Sequence, residues 1–355
     1  MDAGMLAALG YIVVAGVMNG AYTLPMKFTP RWKWENTWLA FTVLGECIVP
    51  VALALITIPN IFSLYAAGGA GILIKILIFG FAWGVSMILF GRAVDTIGVA
   101  ITFAVSLSTS AAAGSLTPLL VNSPGRLLSN EGMMILLALI LTAVGVTLVA
   151  RAGKQREKDQ TKSDSTSSVF LRGFIFALLS GVCGSMLNFA VAFGSPLIEA
   201  AAENGASPAM VTNVVWAPAV IAGAIPGVIF CLLQVKKNKT ASNFLVSGTS
   251  HYWALAFLMG VLWFGSVVLY GIAVLRIGQL GAVFGWPLFM VAIVLASAGW
   301  GALTGEWKES SAKARTTMAA GIAVLLLTIV VLAGANMFGS KSDATAESSQ
   351  SQSLS

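Results

Sequence analysis

A stretch of twenty residues at 79–98, FGFAWGVSMILFGRAVDTIG, recurs 180 positions later at 259–278 as MGVLWFGSVVLYGIAVLRIG. Without a gap, Gly80/Gly260, Trp83/Trp263, Ser86/Ser266, Leu89/Leu269, Gly91/Gly271, Ala93/Ala273, Val94/Val274, Ile97/Ile277 and Gly98/Gly278 are identical. Shared apolar composition accounts for a few of these matches. It does not account for paired Trp, paired Ser and three glycine pairs in fixed register. The pattern reads as an internal duplication. Such a chain folds as two similar halves, with any ligand site at their seam.

What the halves are made of follows from composition. The chain is 57% hydrophobic and 10% charged, whereas soluble domains carry roughly a quarter charged residues. It is read as an all-α polytopic membrane protein. A crossing helix needs about 20 apolar residues, and ten stretches qualify: 4–24, 36–58, 71–91, 97–121, 132–150, 173–197, 209–235, 252–275, 277–305 and 316–339. A polar linker, RAGKQREKDQTKSDSTSS, separates the fifth from the sixth. The expected organisation is a five-helix repeat over 1–150, a linker over 151–168, a second five-helix repeat over 169–339 and a disordered Ser-rich tail over 340–355. Five spans per half invert the second half relative to the first, so the fold is a 5+5 inverted repeat with its site near mid-membrane. Pro50 and Pro226 lie at comparable depths and are expected to kink both helices alike.

Charge orients the chain. With the first loop inside, 16 of the 20 Lys and Arg fall on inside loops. The positive-inside rule then puts the linker in the cytoplasm and both termini outside. The net charge of +6 needs no nucleic acid, since anionic lipid explains it. Cys47, Cys183 and Cys231 lie in apolar runs and read as small buried hydrophobes. His251, the only histidine, sits at a membrane border. No metal-ligand cluster, cofactor motif, catalytic triad or G-x-x-x-x-G-K-[ST] loop is present. That leaves no sign of an enzyme or of a built-in ATPase.

The chain resembles the L-rhamnose–proton symporter family of the drug/metabolite transporter superfamily. The resemblance rests on Trp34-Glu35-x-x-Trp38, Pro59-Asn60, Phe79-Gly80-x-x-Trp83-Gly84, Thr117-Pro118, Arg151-Ala-Gly153, Glu199-Ala-Ala-Ala and Glu306-Trp307, in order along the chain. It implies ten helices, a bacterial inner membrane, and uptake of a deoxy-sugar with a proton. Export of metabolites or drugs, or proton antiport of another small solute, is the rival reading, because a buried carboxylate beside Trp and Tyr also suits cation capture.

Glu46, near the middle of the second stretch, is the candidate proton-coupling residue. A charge at that depth is costly, so low dielectric favours the neutral acid and lets the group take up and release a proton. The competing reading is a neutral acid that only packs. Trp83 and Ser86 share a helix face with Phe90; Trp263, Ser266 and Tyr270 repeat the arrangement. The paired aromatics are expected to form a stacking platform for sugar C–H faces, against the alternative of core or interfacial packing. Asn19, Tyr22, Asn188, Gln279 and Trp286 are candidates for sugar hydroxyls, against a role as helix-to-helix hydrogen bonds. Together with Trp83, Trp263 and Tyr270 they form the expected substrate site. Glu35 reads either as a helix-start residue or as functional, and Arg92 and Asp95 as an ion pair in a short loop.

Overall fold

The computed structural model describes residues 3–68, 70–158, 167–278, 280–303, 305, 308 and 310–353. Among these the regular structure is all helix, and ten helices are long and apolar enough to cross a membrane. The spans, numbered 1–10 in chain order, are Gly4–Phe28, Trp34–Thr57, Ala70–Ile97, Ile101–Val121, Asn130–Gln155, Phe170–Phe193, Asn213–Asn238, Ser250–Ile277, Gly281–Leu303 and Ala312–Leu332. Many Leu, Ile, Val and Phe side chains face outward from them, as a lipid solvent allows. Spans 7, 8 and 9 are the most enclosed.

Several ends differ from expectation. Span 3 stays helical to Ile97, so Arg92 and Asp95 belong to its last turns, both are exposed, and among the described residues they form no ion pair with each other. Gly98 then breaks the helix at φ +81, and its repeat mate Gly278 ends span 8 at φ +91. Both values lie where only glycine sits without strain, so this repeated pair has a backbone reason. Arg151–Lys158, expected as linker, completes the helix of span 5. The remainder of the linker, 159–166, lies outside the described residues. The helix of span 10 runs on to Ser353 through the Ser-rich segment expected to be disordered, where no Gly or Pro follows Gly339 to end it.

The spans pair reciprocally. Span 3 packs against spans 6 and 7, and span 8 against spans 1 and 2; span 4 packs against span 6, and span 9 against span 1. Span 5 lies along span 10. Lipid tails are as apolar as leucine, so these contacts depend on small residues that bring backbones together. Gly80 and Gly84 of span 3 meet Ala219 and Gly223 of span 7, and a methyl group on either of the first two would sit 2.0 Å from a carbonyl oxygen. Gly16 and Gly20 of span 1 meet Ala292 and Ala296 of span 9 in the same four-residue rhythm.

Prolines within the spans leave carbonyls without helical donors, and other helices supply them. Pro118 deprives the Gly114 carbonyl, which accepts from Asn188 Nδ2 at 2.8 Å. Pro287 deprives Val283, which accepts from Ser115 Oγ at 2.7 Å. Pro218 deprives Val214, which accepts from the Tyr65 hydroxyl at 3.0 Å. Pro50 and Pro226 do not act alike. Span 7 remains α-helical through Pro226, while span 2 opens into a π-helical segment over Thr42–Ile48, immediately before Pro50. Gly45, inside that wide turn, touches Gly260 so closely that a methyl on either would lie 2.4 Å from the other's Cα.

Gly84→Val is expected to destabilise the purified protein by roughly 1–3 kcal/mol or more through overpacking, read as a lower melting temperature. Gly71→Ala, which meets nothing within 4 Å, should leave it within about 0.5 kcal/mol. Asn188→Leu keeps the number and branching of the side-chain heavy atoms but orphans the Gly114 carbonyl, and should cost about 1–3 kcal/mol in the same measurement.

Candidate functional site

Spans 4, 6, 8 and 9 converge on a cavity of about 440 Å³ that opens at one end of the bundle. Pro118 and Ser123 line it from the first half; Val191, Glu199, Val274 and Ala282 line it from the second. Glu199 is exposed at the mouth, where the short helix Ser195–Glu203 passes. The volume falls within the several hundred Å³ common for small-molecule sites.

One helical turn deeper on each lining helix is a side chain or backbone group of a buried polar network. Asn188 is its hub. Its Nδ2 donates to the Gly114 carbonyl and, at 3.1 Å, to the Ala282 carbonyl. Its Oδ1 accepts from the Tyr270 hydroxyl. The Trp286 indole N–H donates to the Ser110 carbonyl at 3.0 Å, and its ring meets Tyr270 edge to face with centroids 5.5 Å apart. Gly114 makes room for that indole; a methyl there would lie 2.2 Å from its Cδ1. The network therefore joins spans 4, 6, 8 and 9 across both halves. Asn188, Tyr270 and Trp286, expected on one site, are brought together.

Trp83 and Trp263 also meet, in a way the sequence reading does not foresee. Their rings stack on each other, centroids 5.3 Å apart and planes 24° apart, and the residues are 6% and 5% exposed. An open platform with free ring faces is thus replaced by a closed aromatic stack that fills the middle of the seam. The cause is close packing: Trp83 lies over Gly223, and Phe41 meets Trp263 edge-on. Below it, Asn19 Nδ2 donates to Ser266 Oγ at 2.9 Å, which donates to the Trp263 carbonyl at 2.6 Å. Phe90 and Tyr270 are not equivalent. Phe90 packs against Phe103, whereas Tyr270 is buried and has a hydroxyl for Asn188 to accept. Gln279 lies outside the described residues.

Glu46 sits in the wide turn of span 2 and is 6% exposed. Pro50, four residues on, removes the α-helical donor of the Glu46 carbonyl. Among the described residues no Lys or Arg forms an ion pair with its side chain. Tyr22 packs against Phe41 and Trp38, on the turns of span 2 that precede Glu46. Short π-helical insertions in otherwise regular helices are frequent at functional positions. Sequence reasoning took Pro50 as a kink and missed this wider turn; the signal was a proline four residues after the one mid-span carboxylate.

At the end of the bundle away from the cavity, the first loop clasps the loop between spans 7 and 8. Glu35 is 6% exposed, and its Oε1 accepts from Asn238 Nδ2 at 3.0 Å and Thr240 Oγ1 at 2.9 Å. Asn36 Nδ2 donates to the Thr240 carbonyl at 2.9 Å, and Asn243 Nδ2 donates to Asn36 Oδ1 at 3.1 Å. Trp32 donates to the Asn243 carbonyl at 3.0 Å and packs edge-on against Phe244, Tyr252 and Trp253. Both readings of Glu35 meet here, since it stands in the first turn of its helix and also ties one half to the other. Asn238, Thr240 and Asn243 look like ordinary loop residues in sequence; only the meeting of two loops some 200 positions apart gives them a role.

The cavity between the two halves thus has a buried polar hub beneath it, and a hydrogen-bonded latch joins the halves at the far end. The chain is similar to curated proteins named L-rhamnose-proton symporter: one from Shigella dysenteriae serotype 1 is 25% identical, covering 92% of this chain and 95% of that protein. One from Escherichia coli strain K12 / DH10B is 24% identical over the same shares. One from Shigella boydii serotype 4 is 25% identical, again over 92% and 95%. The family model described as L-rhamnose-proton symport protein (RhaT) matches residues 1–339. With nearly all of its length matched, the chain belongs to the L-rhamnose-proton symport protein family.

Proposed function

We propose that this chain is a secondary transporter, not an enzyme, which imports L-rhamnose or a related monosaccharide with a proton. It resides in a bacterial inner membrane as a multi-pass protein and works by alternating access. The observation that carries the reading is the cavity of about 440 Å³ between the halves, set opposite a hydrogen-bonded latch that shuts the other end. The names of the relatives supply the substrate class and the coupling ion.

The reciprocal pairing of spans, with the shared helix-ending glycines at 98 and 278, supports an inverted repeat of five plus five spans. The bias of Lys and Arg supports an outside location for the cavity and a cytoplasmic location for the latch and the linker. In this state a sugar enters from outside and meets the Asn188–Tyr270–Trp286 network. Its hydroxyls can replace the hydrogen bonds that now hold that network together. The Trp83–Trp263 stack, with Asn19 and Tyr22 beneath it, bars the way onward. Separation of the two rings exposes faces suited to sugar C–H groups, so the expected platform belongs to a later state of the cycle. Glu46, in its wide turn beside Tyr22, carries the proton. Proton binding there shifts the balance of states to the extent that the two states differ in their affinity for the proton.

Reconstituted in liposomes, the protein should show saturable uptake of labelled L-rhamnose or a related sugar, accelerated by an inward proton gradient. No saturable uptake across a panel of monosaccharides would overturn the proposal. Glu46→Gln should abolish gradient-driven accumulation while sparing sugar exchange across the membrane. Unchanged accumulation would remove Glu46 from coupling.

A further inference from the structure

At the start of span 7, three buried polar atoms have no partner: Thr212 Oγ1, Asn213 Oδ1 and Trp216 Nε1. The three residues are at most 1% exposed. A buried donor or acceptor without a partner is costly, and folded proteins keep few of them. Thr212 and Trp216 stand four residues apart and so share a helix face. Both point at one spot on span 8. A methyl group on Gly271 would lie 2.5 Å from Thr212 Oγ1 and 2.8 Å from Trp216 Nε1. The spot is therefore closed in this state, and a solute atom reaches it only when spans 7 and 8 move apart.

The spot adjoins the polar network already described. Tyr270, the neighbour of Gly271, lies 6.2 Å ring to ring from Trp216, and its hydroxyl reaches Asn188. Val274, one turn further along span 8, lines the cavity. The repeat offers no counterpart, because a methyl on Gly91 would meet nothing within 4 Å. The feature is therefore built into one half only, where it faces the hub.

We propose that Thr212 and Trp216 form a specificity-determining subsite for a single hydroxyl of the sugar, occupied once the solute moves inward from the cavity and Tyr270 yields. This rests on the transport reading above. The chemistry selects a neutral hydroxyl. An indole N–H can only donate, and a threonine hydroxyl donates or accepts. One sugar hydroxyl can accept from Trp216 and donate to Thr212, satisfying both atoms together. A carboxylate would also accept from both, but Arg276, the basic residue of span 8, is engaged over the Tyr11 ring, and a buried charge without a partner is strongly disfavoured.

Thr212→Val removes the hydroxyl at nearly constant volume. Without sugar it should raise the melting temperature by about 1 °C or more, because an unpartnered group is gone. A lower melting temperature would show that Thr212 already has a partner in the resting protein, such as a fixed water, and would overturn the proposal. In uptake assays the wild type should reject one mono-deoxy analogue of its sugar at least about 10-fold, since a site built for a hydroxyl rejects the analogue lacking it. Thr212→Val should lose most of that discrimination, and Thr212→Ser should keep it. Wild-type uptake with unaltered discrimination in Thr212→Val refutes the subsite alone. Absence of wild-type sugar uptake refutes the transport reading and the subsite with it.

Discussion

In hydrocarbon a carbonyl without a donor has no water to turn to, and this constraint organises the centre of the bundle. The chain places prolines inside crossing helices, and each opens a gap in a backbone ladder. At Gly114, Val283 and Val214 a side chain from elsewhere in the chain fills the gap. Two of these bonds cross between the halves near the cavity floor. The prolines thus turn local helix defects into long-range ties. Asn188 illustrates the economy: one amide closes the Gly114 gap, reaches Ala282 and holds Tyr270.

Such ties suit a carrier better than apolar packing alone. An apolar contact in lipid exchanges one greasy neighbour for another, and little specificity results. A carbonyl that must have a donor accepts only a few partners. A hydroxyl-rich solute is one of them, so it competes for the same donors and acceptors that hold the halves in register. The small-residue crossings at Gly80, Gly84, Gly16 and Gly20 act differently. They fix helix pairs at short range and leave the polar contacts as the parts that exchange.

Much of this was legible before any coordinates. Ten apolar stretches of sufficient length give ten helices because the membrane sets the length. The repeat singles out the glycines at 98 and 278, but only their positive φ in the structure shows that they end helices. The joining of Asn188, Tyr270 and Trp286 is expected as a site, with helix-to-helix hydrogen bonds as the alternative; that Tyr270 pairs with Asn188 and Trp286 with Ser110 is not. Pairwise geometry between distant helices leaves no trace in local periodicity. The Trp pair shows the same limit: the repeat identifies both rings, yet only three-dimensional packing makes them stack on each other. The latch was the least legible part, because Asn238, Thr240 and Asn243 carry no motif and depend on which loops become neighbours.

The wide turn at Thr42–Ile48 affects how the whole of its helix is addressed. Each residue of an α-helix advances the facing direction by about 100°, so a local change of winding rotates everything beyond it. The stretch from Trp34 to Phe41 and the stretch from Val49 to Thr57 therefore keep separate angular bookmarks, and a face traced through one does not continue into the other. Glu46 stands inside that break, so its carboxylate faces a direction set by neither half of the helix alone.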